Sequence, residues 1–226
     1  TMSFSDIATG VDAPQFPDGM TDPLLALARM PFPVYITTSY HDFLERALRS
    51  EEAGKKEPRT QVIFWEPGRE YDDAVEAGHY PDPAFKPTAT TPVVYHLYGL
   101  ENYPGSLVLS EDDYMKFIVS VVSDADTQRP IVPPKLTSVL SASHLFLMGY
   151  HLRDWDFRVL FRFILNYRHG ESAKKGIYMQ VKPKKQDREM LDYLKHYFDM
   201  KKFEVEWNSS EDFVKVLWDV WKGQQS

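Results

Sequence analysis

The chain has 226 residues, of which 43% are apolar and 14% aromatic, ample for a packed core. Its formal charge of −7 and pI near 5.5 exclude a broad electrostatic attraction to nucleic acid or to an anionic membrane. With no cysteine there is neither a disulfide nor a Cys-based zinc site, and the seven histidines show no i,i+4 pairing with a third ligand, so no metal site is expected.

No apolar stretch approaches the ~20 residues that span a bilayer, and the first twenty residues are too polar and acidic for a signal peptide. The cytoplasm is the expected compartment. Thr1 stands before Met2, so the chain is either a protein with one leftover residue or an excerpt of a longer one. Residues 1–23, rich in Gly, Pro, Asp and Ser, read as an irregular lead-in, and 24–226 as a single α/β domain. Leu24 to Arg29 predicts a short helix, stopped by Pro31 and Pro33. Pro33 is tolerable only at the edge of a strand, which places the first strand at Val34 to Thr37. Ser39 and Asp42 have the spacing of a capping box, and Tyr40, Phe43, Leu44, Ala47 and Leu48 form a helical apolar stripe behind it.

Gln61 to Trp65 predicts a second strand. Residues 66–92, with many Pro, Gly and Asp, read as a long surface excursion. Val93 to Leu97 predicts a third strand. Ser110 and Asp113 repeat the capping-box spacing, flanked by Leu109 and Tyr114, ahead of a helix with Tyr114, Phe117, Ile118 and Val121 on one face. After a loop at 124–134, a helix near Lys135 to Ala142 leads to a buried-type strand, Leu145 to Met148, closed by Gly149. An amphipathic helix starts at Asp154, with Phe157, Leu160, Phe161 and Ile164 facing one way. Ile177 to Val181, Gln186 to Phe198, Phe203 to Trp207 and Ser210 to Trp221 complete the alternation as strand, helix, strand and helix. This order predicts a mostly parallel sheet flanked by helices.

Ligands of such sheets bind outside the carboxyl ends of the strands. Three segments turn polar directly after an apolar strand: Thr37-Thr38-Ser39-Tyr40-His41-Asp42, His96-Leu97-Tyr98-Gly99, and Gly149-Tyr150-His151-Leu152-Arg153-Asp154. They are expected to converge on one crevice.

The ordered motifs Pro33-Val34-Tyr35-Ile36-Thr37-Thr38-Ser39-Tyr40, Val94-Tyr95-His96-Leu97-Tyr98-Gly99, Ser106-Leu107-Val108-Leu109-Ser110-Glu111-Asp112-Asp113-Tyr114 and Phe146-Leu147-Met148-Gly149-Tyr150-His151-Leu152-Arg153-Asp154-Trp155-Asp156 resemble the sirtuin-like domains of bacteria, over residues 24–168. The resemblance implies a Rossmann-like NAD-binding domain without a zinc module. It also implies a relation to effectors of antiphage defence that cleave NAD to nicotinamide and ADP-ribose. The family's strand-end asparagine, which helps to hold the nicotinamide ribose and a water, falls at Ser39, and its following acidic residue falls at His41 or Asp42. The family's catalytic histidine, which acts on the ribose hydroxyl, falls at Tyr98. A phenol of pKa ~10 is a poor general base at neutral pH. His96, two residues earlier on the same strand and face, is a candidate to replace it. Gly-Tyr-Ser-Leu becomes Gly149-Tyr150-His151-Leu152, and the Gly-Ala-Gly loop that cradles pyrophosphate is absent, so the first Gly-rich β-α unit is lacking.

The implied catalytic set is therefore Tyr98, His96, Ser39 and His41. The implied cofactor-binding set is Thr37, Thr38, Asp42, Gly99, Gly149, Tyr150, His151, Asp154 and Asp156, with NAD as substrate or ligand and no metal. Six of them have a plainer reading: Ser39, Asp42 and Asp154 as helix caps, Tyr98 as a packing or hydrogen-bonding tyrosine, His41 and His151 as surface residues. The expected function is a truncated or degenerate NAD hydrolase, weakly active or inactive alone. The alternatives are a nucleotide-sensing pseudoenzyme and a protein-interaction or oligomerisation module built on the aromatic C-terminal segment. Expected partners are a nucleotide, a second copy or a missing upstream domain, with neither membrane nor nucleic acid.

Overall fold

The computed structural model describes residues 22–65, 69–79, 82, 84–123, 131–150, 154–168, 174–180, 188–208 and 210–224. The chain divides into two compact units, Thr1–Pro133 and Pro134–Ser226.

The first unit runs α1 (Pro23–Arg29), β1 (Val34–Thr37), α2 (Phe43–Arg49), β2 (Arg59–Val62), α3 (Arg69–Glu76), β3 (Val93–His96) and α4 (Glu111–Ser123). Its sheet has the order β1-β3-β2 and is parallel throughout. Thr37 and Val62 both lie opposite His96, so the three strands end level at their carboxyl ends. Asp22 starts α1 by accepting a 2.8 Å hydrogen bond from the Leu24 amide, with Pro23 in the first turn where its missing N–H costs nothing. The Tyr35 hydroxyl ties that helix to β1 by donating to the Leu27 carbonyl at 3.0 Å. Ala28, Tyr35, Leu44, Leu48, Ala53 and Val94 form the core between these helices and the sheet.

Within the surface excursion predicted over 66–92, one described stretch differs. Residues 69–76 form α3, and its fully buried Ala74 joins Val62, Phe64, Leu100 and Tyr103 in a second core cluster, with Tyr71 edge-on to Phe64 at 5.7 Å. Tyr71 and Ala74 sit on one face at i,i+3, but the surrounding Asp, Glu and Gly dilute that pattern, and tertiary burial decides the helix. β2 also starts and ends earlier than Gln61 to Trp65. β3 stops at His96, so Phe64 and Trp65 have no strand to pair with; they are buried as side chains instead, the Trp65 indole donating to the Leu107 carbonyl at 3.4 Å.

The second unit runs α5 (Pro134–Ala142), β4 (Phe146–Leu147), α6 (Trp155–Tyr167), β5 (Gly176–Gln180), α7 (Arg188–Met200), β6 (Phe203–Trp207) and α8 (Ser210–Gln224). Its sheet has the order β4-β5-β6, again parallel. The core is aromatic: Phe157 stacks on Tyr178 at 4.8 Å, and Phe161 meets Phe198 at 5.1 Å and Phe203 at 5.4 Å. Gly176 lies opposite Phe203, and a Cβ there would come within 2.3 Å of the Phe203 ring, so only glycine lets the ring lie across β5. The fold is thus α/β with parallel sheets flanked by helices, consistent with the Rossmann-like class. No helix among the described residues is long and apolar enough to cross a membrane.

One buried cation closes the second unit. The Arg168 guanidinium donates to the carbonyls of Leu140 at 2.8 Å, Ser143 at 3.2 Å and Lys174, and lies 5.0 Å from the Phe203 ring. It joins the end of α5 to the approach to β5. Arg168→Ala leaves those carbonyls without their donor and is expected to lower stability by about 3 kcal/mol. A lower urea midpoint measures the loss, and Arg168→Lys, which lacks the planar fork, recovers only part of it.

Candidate functional site at the carboxyl ends of β1 and β3

After β1 the chain turns on its own hydroxyls. The Ser39 amide donates to Thr37 Oγ1 at 3.0 Å and the His41 amide to Ser39 Oγ at 3.3 Å. The loop after β3 turns at Gly99, whose φ is +88° and whose missing Cβ would lie 2.4 Å from the Ser106 carbonyl oxygen. The turn itself demands this glycine, through conformation and through space. Ser106 then locks the loop, accepting from the Leu100 amide at 3.1 Å and donating to the Tyr103 carbonyl at 2.6 Å.

The two loops are bonded to each other. Leu97 N donates to the Thr37 carbonyl at 2.9 Å, Glu101 N to the Tyr40 carbonyl at 2.9 Å, and the Tyr40 hydroxyl to the Val108 carbonyl at 2.8 Å. His41 Nδ1 meets Glu101 Oε2, and the two side chains are 19% and 9% exposed. The His41 ring also stacks on Phe43 at 4.7 Å. Its Nε2 makes no hydrogen bond to any described residue. Glu101 is not among the residues predicted from sequence. It stands 60 positions from His41 in a Glu-Asn-Tyr-Pro-Gly turn, and nothing local marks it.

His96 does not stand in for the missing base. It is 0% exposed, with Nδ1 3.0 Å from the Ser39 carbonyl and Nε2 2.8 Å from Glu45 Oε1, so neither ring nitrogen is left for a substrate. A carbonyl only accepts, so Nδ1 carries a proton. Thr60 adds a hydroxyl donor to the same Glu45 oxygen at 2.8 Å. Burial pushes the Glu45 carboxyl up, but the hydrogen bond and charge of His96, helped by Thr60, outweigh it and hold the group below the ordinary carboxylate value.

Nor does His96 share a face with Tyr98, because β3 ends at His96 and the chain has turned by Tyr98. The Tyr98 ring is 2% exposed and packs edge-on against Tyr114 at 5.1 Å and Phe117 at 5.5 Å. The plainer reading, a packing tyrosine, describes that geometry.

The first capping box is also absent. α2 is preceded by Asp42, whose side chain caps no amide and instead pairs with Arg46 at 2.7 Å, and Ser39 lies too far upstream, its hydroxyl committed to the turn. The second does form: Asp113 N donates to Ser110 Oγ at 3.2 Å and Ser110 N to Asp113 Oδ2 at 2.9 Å, which holds the Asp113 carboxyl below its usual range.

The candidate site in the first unit thus comprises Thr37, Thr38, Ser39, His41 and Asp42 with Glu101. Ser39 is exposed, and Thr37, Thr38, His41 and Asp42 are half-buried. The Thr37 and Ser39 oxygens accept from backbone amides and each keeps a proton to donate, which suits the hydroxyls of a ribose. A Gly-X-Gly turn for a pyrophosphate occurs nowhere in the sequence. Among the described residues no group of three or more His, Asp or Glu could hold a metal ion. The remaining predicted residues belong to the second unit. Gly149 has a φ of +79°, Tyr150 lies 5.6 Å from the Phe157 ring, Asp154 precedes α6 without capping it, and Asp156 Oδ1 accepts from the Phe157 amide at 2.8 Å. His151 falls outside the described residues.

A family model described as SIR2-like domain matches residues 33–199, from the start of β1 into α7. The match starts later than the resemblance over 24–168 and runs further. No curated protein matches the chain.

The Glu45–His96 pair sets an acid limit on stability. The folded-state pKa of Glu45 is depressed below its ordinary 4.5, so the stabilisation is complete above that value and is lost as the pH falls through the lower folded value. Urea midpoints taken from pH 7 downwards should therefore fall below about pH 5 in the parent chain, and less steeply in Glu45→Gln. His96→Ala, which strands the carboxylate in an apolar site, is expected to cost about 3–5 kcal/mol at pH 7.

Proposed function

Because the chain belongs to the SIR2-like domain family, we propose that its first unit binds the nicotinamide-ribose half of NAD at the carboxyl ends of β1 and β3 and hydrolyses NAD slowly to nicotinamide and ADP-ribose. The cellular role that goes with this reading is NAD depletion in the cytoplasm of a bacterium under phage attack. One observation carries it. Three parallel strands end level, and the hydroxyl-bearing loop after β1 is hydrogen-bonded to the loop after β3, at the place where α/β sheets of this kind bind ligands.

The slow rate follows from two positions. Ser39 offers a hydroxyl where the resemblance expects an asparagine amide, and Tyr98, packed against Tyr114 and Phe117, supplies no base. That packing also favours a second reading, a domain that senses the nucleotide without cleaving it. Calorimetric titration with ADP-ribose and NAD tests the binding common to both readings, and chromatographic assay of nicotinamide separates them. No heat of binding at millimolar nucleotide would reject both.

Two substitutions sharpen the test. Ser39→Asn restores an amide at the strand end and is expected to tighten NAD binding by about fivefold, the worth of one hydrogen bond. Tyr98→His removes the ring contacts with α4 and is expected to cost about 2 kcal/mol of stability with no gain in nicotinamide release.

A further inference from the structure

We infer that His41 and Glu101 are the proton-accepting pair of this site, with His41 Nε2 as the base and Glu101 as its positioning residue. The inference rests on the NAD reading above and names the group that replaces the absent histidine.

Among its described residues the first unit holds two histidine–carboxylate pairs, and they differ in one respect that matters for chemistry. In the Glu45–His96 pair both residues are 0% exposed and both ring nitrogens are engaged. In the His41–Glu101 pair the ring is 19% exposed, only Nδ1 is engaged, and no described residue takes Nε2. A carboxylate accepts only, so a neutral His41 ring gives its proton to Nδ1 and carries its lone pair on Nε2. The ring is also held from its face by Phe43 at 4.7 Å, and Glu101 is held by its own amide bond to the Tyr40 carbonyl at 2.9 Å. Both partners are therefore fixed in place before a ligand arrives. The other groups near this loop are committed elsewhere: Asp42 to Arg46 at 2.7 Å, and Tyr98 to the aromatic packing on α4.

The reaction balances without an added reagent. The bond between C1′ of the ribose and the nicotinamide nitrogen breaks, and its electron pair leaves with nicotinamide. A water oxygen bonds to C1′, and the water proton passes to His41 Nε2 and then to solvent. The products are nicotinamide, ADP-ribose and one proton. Glu101 stays ionised and stabilises the imidazolium that forms.

The test uses the full chain and three readouts. Ring nitrogen NMR without nucleotide should show one histidine, absent from His41→Ala, with a proton on Nδ1 and none on Nε2; Glu101→Ala should turn it into a mixture of tautomers. Calorimetry with ADP-ribose should still show binding in the His41→Ala and Glu101→Gln chains, weaker than in the parent by no more than about fivefold, the worth of one hydrogen bond. Nicotinamide release at saturating NAD should fall in kcat by about 10²–10⁴-fold in His41→Ala, with part of the loss restored by added imidazole. It should fall by about tenfold or more in Glu101→Gln, which keeps an acceptor for Nδ1–H but not the charge. If circular dichroism shows His41→Ala misfolded, Glu101→Gln decides. A parent chain that binds ADP-ribose yet releases nicotinamide no faster than His41→Ala, or not at all, overturns the base and leaves the nucleotide reading standing. Absence of ADP-ribose binding overturns the nucleotide reading itself, and the base with it.

Discussion

Glu45 enters the first unit from α2 with no exposure to solvent and meets His96 at the last position of β3. That contact governs what lies beyond it. His96 grips the Ser39 carbonyl with its other nitrogen, so a charge pair between a helix and a strand also fixes the loop after β1. Buried ion pairs are seldom a net gain in stability, since the desolvation of both charges offsets their attraction. Glu45 Oε2 finds no hydrogen bond among the described residues, a further cost of about 1–3 kcal/mol. What the pair contributes is placement. An apolar residue at position 96 would fill the space but leave the Ser39 carbonyl without a donor, and one at position 45 would leave the buried His96 Nε2 without its partner.

From that fixed loop the functional groups follow in short steps. Thr37 and Ser39 use their oxygens to turn the chain, Tyr40 reaches across to Val108, and His41 is brought against Glu101. On the other side, Gly99 and Ser106 fold the loop after β3 tightly enough that Glu101 meets the Tyr40 carbonyl through its amide. The outcome is a pair of like chemical composition in two settings, one sealed in the core and one at the mouth of the strands. Access to solvent, not residue type, separates the sealed pair from the one proposed as the base.

Much of the fold is legible in the sequence where local rules and tertiary demands agree. β1 and β6 lie where they are predicted because a proline edge and a clean alternation fix them locally. Ser110 with Asp113 reads correctly as a capping box because the helix begins immediately after Ser110. The same spacing at Ser39 and Asp42 misleads, because the turn after β1 takes the serine first. α3 is illegible because one buried alanine and one tyrosine carry it amid polar neighbours. The site is harder still: Glu45, Glu101 and the partners of Arg168 lie 51, 60 and up to 28 residues from what they touch, and no window of sequence spans such distances. The burial of Tyr98 and His96 likewise depends on where β3 stops.

Position 39 is anchored by its main chain at both ends, its amide on the Thr37 hydroxyl and its carbonyl on the His96 ring, while its side chain is exposed. It therefore behaves as a socket. Different side chains mounted there would project from the same backbone at the same height above the sheet. Ligand preference can then be retuned by exchanging a single residue, provided the new side chain still offers the His41 amide an acceptor, as Ser39 Oγ does.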